Sequence, residues 1–209
     1  MGGKPFLGHL IRLCTSLLIC GVAFAQDLFP DAREVPLPEG ILAYDGKSDP
    51  DAISQWEGIW ALVFVKTTVV EDGSLGSGRS ALKYQFDLDD RTAAALFQHV
   101  QSSFEKRKRV ASAARDDLCD NREQIVTRED LVRELGKIRK ASDDARAEAV
   151  AQVQGIVGAE AYKKIVEASD EVRSSMLAFD VDLPTLLSKE PLSAVAERTE
   201  RICSRAEGH

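Results

Sequence analysis

The sequence predicts an all-α protein, an irregular helical bundle of five or six helices carried behind an extended N-terminal arm. Three observations lead there. From Asp49 onward, apolar residues recur at steps of three and four over long stretches. Helix-start residues stand ahead of those stretches at Asp49-Pro50, Asp89, Thr127 and Pro191. Only one segment, about 62–88, reads instead as paired strands, and an isolated hairpin is marginal by itself.

Residues 1–25 read as a cleaved signal peptide: Lys4 and Arg12 lead, an apolar run extends from Leu13 to Phe24, and Ala23-Phe24-Ala25 supplies small residues at positions −3 and −1. The run is shorter than the roughly 20 residues a membrane span needs, and Gln26-Asp27 ends it abruptly. Bulky Ile19 before Cys20 is unsuited to lipidation. The mature chain is therefore expected to begin at Gln26, to lie in a periplasm or outside the cell, and to have no stable membrane insertion once the signal is gone.

Cleavage would leave 184 of the 209 residues, enough for one domain with a substantial core. It would also leave 25 basic against 34 acidic side chains, a formal charge of −9. That balance speaks against nucleic acid as a partner, because phosphate contacts need a positive field. Of four cysteines, Cys14 and Cys20 would depart with the signal, leaving Cys119 and Cys203 as the expected disulfide.

Residues 26–48 carry Pro30, Pro36 and Pro38 with little periodicity and form the expected arm; residues 49–209 form the single helical domain. Asp49 as N-cap and Pro50 at the first helical position predict a long helix holding Ile53, Trp56, Trp60, Val63, Thr67 and Val70 on one face. The rival reading is α+β: Leu62 to Val70 is rich in β-branched residues, and Leu82, Tyr84, Phe86 and Leu88 alternate with polar ones across the glycine loop at Gly73, Gly76 and Gly78.

Beyond Asp89, Ala93, Phe97, Val100, Phe104, Ala111, Ala114 and Leu118 mark a helical stripe, broken at Arg107, with Lys106 to Arg109 expected on a solvated face. Thr127 and Asp130 then resemble a capping box ahead of Leu131, Leu135, Ile138, Ala145, Ala149, Val153 and Ile156. Arg133, Glu134, Lys137, Lys140, Asp144 and Glu148 are assigned to water on the other side. A break is expected near Gly158, a further helix through Leu177, a short one after Asp182-Pro184, and a last one from Pro191 bearing Leu192, Val195, Ala196, Thr199 and Cys203. The expected core is Trp56, Trp60, Phe64, Phe97 and Phe104.

No motif assigns a catalytic, cofactor or metal residue. Gly73 to Ser80 fits a phosphate loop except for Arg79 in place of lysine, and reads more simply as a glycine turn. His99, beside the stripe, reads as a boundary residue, and His209 ends the chain. Asp87, Asp89 and Asp90 cluster where acids favour a helix start, whereas Asp116, Asp117 and Asp120 cluster near a helix end and beside Cys119, where capping explains them less well. Three functions are consistent with this pattern: a non-enzymatic binding or scaffolding protein contacting another envelope protein, a hydrolase using a carboxylate pair near Asp116 or Asp89, and a carrier with an apolar cavity for a small ligand.

Overall fold

The structure, a computed structural model, describes Leu37 and residues 39–65, 75–188 and 191–204. The proposed signal peptide, most of the arm, Thr67, Val70, Gly73 and His209 lie outside the described residues. The chain is mostly helical. In order run β1 (Ile41–Asp45), a 3-10 turn (Pro50–Ala52), α1 (Gln55–Ile59) continued by a π-helical stretch (Trp60–Val65), α2 (Leu75–Phe86), α3 (Asp90–Asp120), a 3-10 turn (Arg122–Gln124), α4 (Arg128–Val157), α5 (Ala159–Ser175), β2 (Leu177–Val181), α6 (Leu183–Ser188) and α7 (Leu192–Ser204).

The long antiparallel pair α3 and α4 forms the frame, and its ends are written in local chemistry. Asp89 accepts from the Thr92 backbone N–H at 2.8 Å and its hydroxyl at 3.0 Å, capping α3. Thr127 and Asp130 form the expected reciprocal box on α4: Asp130 N–H donates to Thr127 Oγ1, and Thr127 N–H donates to Asp130 Oδ2, both at 3.1 Å. Gly158, at φ 80°, separates α4 from α5 in a conformation that favours glycine. At mid-frame the small Ala149 lets α3 approach closely enough for His99 Nε2 to meet the Ala149 carbonyl at 2.8 Å.

These acids make the frame sensitive to pH. Bonds from Thr92 hold Asp89 below its ordinary value, and those from Thr127 and Arg133 do the same for Asp130. Each therefore contributes fully at neutral pH and loses that contribution as pH falls through and below the carboxylate range. The midpoint of thermal unfolding, followed by circular dichroism, is expected to be flat from pH 7 to about 5 and to drop below about 4. A double variant, Asp89→Asn with Asp130→Asn, should show a shallower acid limb; an unchanged limb would remove these caps from the explanation.

The core falls into two apolar clusters. The larger gathers Ile53, Ile59 to Phe64, Leu82, Phe86, Val100, Val153, Ile165 and Met176. The smaller gathers Leu118, Ile125, Leu131, Leu187, Val195 and Cys203. Trp60 and Phe64 are fully buried, while Trp56, Phe97 and Phe104 pack against the larger cluster from half-buried positions. In the smaller cluster Cys119 and Cys203 stand at disulfide distance, with Cα atoms 5.5 Å apart.

Several expectations are corrected. The first helix starts after Ser54, not Asp49, because Ser54 N–H and Oγ both donate to Glu57 Oε2 at 2.9 and 2.6 Å, whereas Pro50 opens only a 3-10 turn. No hairpin occupies the described part of 62–88: α2 places Leu82 and Phe86 one helical turn apart in the core and leaves Tyr84 80% exposed. The phosphate-loop segment is helical from Leu75 onward, and Arg79 Nη2 donates to the Asp90 carbonyl at 3.0 Å. Seven α-helices stand among the described residues rather than five or six, because α2 and α6 are regular. Ala196 is exposed, although Val195, Thr199 and Cys203 are buried as expected.

The arm also supplies a strand. β1 pairs antiparallel with β2, Ile41 opposite Val181 and Asp45 opposite Leu177. The end of this ribbon lies close to α5, since a Cβ on Gly46 would stand 1.8 Å from the Arg173 carbonyl; α1 lies close to it as well, since a Cβ on Gly58 would stand 2.5 Å from Arg173 Cγ. Arg173 knits these pieces together, its Nε donating to the Ile53 carbonyl at 2.8 Å and its Nη1 to Asp170 at 2.9 Å.

Candidate functional site

Chemistry-bearing residues concentrate in three places, beginning with the acidic clusters. Asp89 is committed to its cap, and Asp90 to Lys83, whose Nζ lies 2.8 Å from Oδ1 and holds the carboxyl below its ordinary value. Asp87, at φ 54°, faces solvent with Lys164 Nζ 3.6 Å away. Asp116, Asp117 and Asp120 are all exposed. Asp116 sits 3.5 Å from Arg115, and Asp117 accepts the Asn121 side-chain amide at its carbonyl (2.8 Å) and at Oδ1 (3.3 Å). Asn121 thus closes the helix end, and the cluster has the local bonding of a C-terminal cap.

The second place is a polar layer between the two apolar clusters, and sequence reasoning missed it. Arg107, assigned to a solvated face, is buried, and its Nε donates to Ser142 Oγ at 2.9 Å. One turn along each helix, Ser103 and Arg146 are buried as well. Arg146 pairs with Asp143 and lies over the Trp56 ring, its guanidinium carbon 5.2 Å from the centroid. Arg139 continues the layer outward: it pairs with Asp180 of β2, approaches Asp143 at 3.6 Å and donates to the Val181 carbonyl at 3.3 Å. The bond to Asp180 holds its guanidinium above its ordinary value despite partial burial.

Glu134, also assigned to water, is buried between Lys137 and Arg133, with Lys137 Nζ at 2.7 Å. That bond draws its carboxyl below the ordinary value against the opposing effect of burial. For Arg107 a signal was present: it falls on the apolar stripe of α3, and a charged residue in that position must bring a partner. The layer's chemistry is that of a brace, fastening β2 to α4.

The aromatic interior beside this layer bears on the carrier reading. Trp60 stacks on Phe64 with centroids 4.4 Å apart and planes 10° from parallel, and the Phe104 ring lies 5.4 Å from it, tilted by 57°. On α7, Ala196, Glu197, Glu200, Arg201 and Ser204 line a shallow depression open to solvent.

The third place is the ribbon. Leu42 is 45% exposed and Phe179 is 37% exposed, with Ala43 exposed opposite Phe179. Among the described residues, no helix is long and apolar enough to cross a membrane, and no group of three or more His, Cys, Asp or Glu side chains is placed to hold a metal ion. No family model, curated protein or solved structure matches the chain.

Proposed function

We propose that the chain is an exported, non-enzymatic binding or scaffolding protein of the cell envelope, which contacts another envelope protein through its N-terminal arm. The observation that carries this reading is the ribbon: β1 belongs to the arm, is pinned to the bundle, and still leaves Leu42 in water on one face and Ala43 with Phe179 on the other. Exposed apolar side chains on a braced element suit recognition, because little ordering entropy is spent when a partner arrives. Export is supported by the basic and apolar layout of residues 1–25 and by the Cys119 and Cys203 pair, since such pairs persist in oxidising compartments.

Two measurements test the proposal. Intact mass of the chain recovered from its native cell should correspond to a start at Gln26; material that still starts at Met1 would overturn export. In-cell crosslinking followed by mass spectrometry should return the same envelope protein repeatedly with the natural chain and lose it with Leu42→Glu plus Phe179→Glu. Failure to recover any reproducible partner, or full retention by that variant, would overturn binding through the arm.

A further inference from the structure

Resting on the reading that the arm receives an envelope protein, we propose how that partner is held: it contributes an extended segment, apolar at its centre and flanked by basic residues, which adds as a strand to the outer edge of β1.

The hydrogen bonding of the ribbon identifies the open edge. Asp182 N–H donates to the Gly40 carbonyl at 2.8 Å, and Gly46 N–H donates to the Met176 carbonyl at 2.9 Å, both in the register of the ribbon. Antiparallel pairs alternate between bonded and non-bonded positions, so even-numbered residues of β1 bond to β2 while Ile41 and Ala43 turn their N–H and C=O groups outward. Those groups meet no partner among the described residues, and Ala43 is exposed. The edge ends at Asp45, whose carbonyl is taken by the N–H groups of Ser48 and Asp49 at 3.0 and 2.9 Å. Nothing within it blunts strand addition, since Ile41-Leu42-Ala43-Tyr44-Asp45 contains no proline and no lysine. On the far side of the ribbon, Arg139 occupies the outward Val181 carbonyl and Asp180 Oδ1 accepts from Val181 N–H.

The chemistry of the edge selects its occupant. Outward backbone groups at strand spacing are matched by another strand and not by a helix, which keeps its own N–H and C=O groups within itself. Leu42 and half-buried Tyr44 share one face of the pleat, and Ala43 shares the other with Phe179, so an added strand is bordered by apolar surface on both faces. Charge decides whose strand it is. From Glu39 to Asp51 the chain carries Glu39, Asp45, Asp49 and Asp51 against Lys47 alone, and its overall formal charge is −7. A second copy would bring the same acidic stretch to the joint, whereas lysine or arginine at the ends of a foreign segment meets it with opposite charge. Area points the same way. A joint along the 5 residues of β1 falls well short of the roughly 1,200–2,000 Å² by which folded bodies hold one another, but suits an extended segment fixed by main-chain bonds.

The test uses the purified full-length chain and a synthetic peptide with a valine-rich centre and lysines at both ends, titrated by NMR. The peptide should bind and slow amide exchange at Ile41 and Ala43 by about tenfold or more, leaving Leu42 and Tyr44, already bonded to β2, unchanged. The same peptide with glutamates in place of lysines should bind about tenfold more weakly, and added salt should narrow that gap. Ala43→Pro, which deletes the central N–H, should abolish binding while Ala43→Val keeps it, with circular dichroism confirming that both variants are folded. A lysine-flanked peptide that does not bind overturns the proposal, as does one that binds without slowing Ile41 and Ala43. Equal affinity for the glutamate-flanked peptide overturns it too, and so does an edge already protected in the peptide-free chain by association with a second copy. These failures leave the envelope partner standing, because in-cell crosslinking reads that contact whatever its geometry; a partner recovered as well with Ala43→Pro as with the natural chain would overturn strand addition alone.

Discussion

Replacing Cys119 and Cys203 together by serine is expected to lower folding stability by about 4–5 kcal/mol, read as a shift of the urea unfolding midpoint with a steeper slope, since the unfolded chain without the crosslink exposes more surface. The size follows from the 84 positions that separate the two residues, because the crosslink removes from the unfolded chain the entropy of a loop of that length. The location adds to it. Cys203 is 2% exposed among Leu118, Leu187 and Val195, so the bond fastens α7 where the smaller apolar cluster is built. Reducing the natural chain should reproduce most of the shift without altering a side chain's volume, which separates the crosslink from packing. Identical midpoints for oxidised and reduced protein would contradict this account. Since whole domains are stable by about 5–15 kcal/mol, the reduced chain should sit near the edge of folding.

Trp60→Ala is expected to cost about 3–5 kcal/mol, the range for deleting a large aromatic side chain from a core. Trp60 is completely buried, stacked on Phe64 and flanked by Phe104, so its removal opens the larger cluster where π-helical backbone meets α3. Trp60→Phe is the informative companion. The indole Nε1 is buried with no acceptor among the described residues, so exchanging indole for phenyl gives up volume but also discards a donor left unsatisfied. The phenylalanine variant should therefore keep well over half of the lost stability, measured by the same urea titration. Equal losses for the two variants would show that ring volume alone is not what Trp60 supplies.

The parts of the fold written in short-range chemistry were legible in the sequence. Asp89, the Thr127 and Asp130 pair and Gly158 each fix a helix end through neighbours within three or four residues, and each does so in the structure. The Cys119 and Cys203 pairing followed from having only two cysteines after residue 25. Where the first helix begins was legible too, since Ser54 and Glu57 have capping-box spacing; Asp49-Pro50 supplied a competing start five residues earlier.

The ribbon was not legible, because each strand has five residues and its partner lies far along the chain. Leu177 reads equally well as the last residue of a helical stripe, and only Ile41 to Asp45 across from it makes Leu177–Val181 a strand. The polar layer failed for a related reason. Arg107 and Glu134 are charged, and charge at helical spacing reads as surface until partners such as Ser142, Lys137 and Arg133 are placed beside them. For the candidate site, sequence reading located the arm but could not say which of its residues stay in water.

The pairing of Ile41 with Val181 spans 140 positions, and that of Asp45 with Leu177 spans 132. Contacts so distant are closed late, after the entropy of a long loop has been overcome. During synthesis, β1 emerges well before its mate exists, so the frame of α3 and α4 can assemble while the arm is still waiting. Docking of the arm is then the closing event of folding, and a chain stalled before Leu177 would be left holding a bare, adhesive strand.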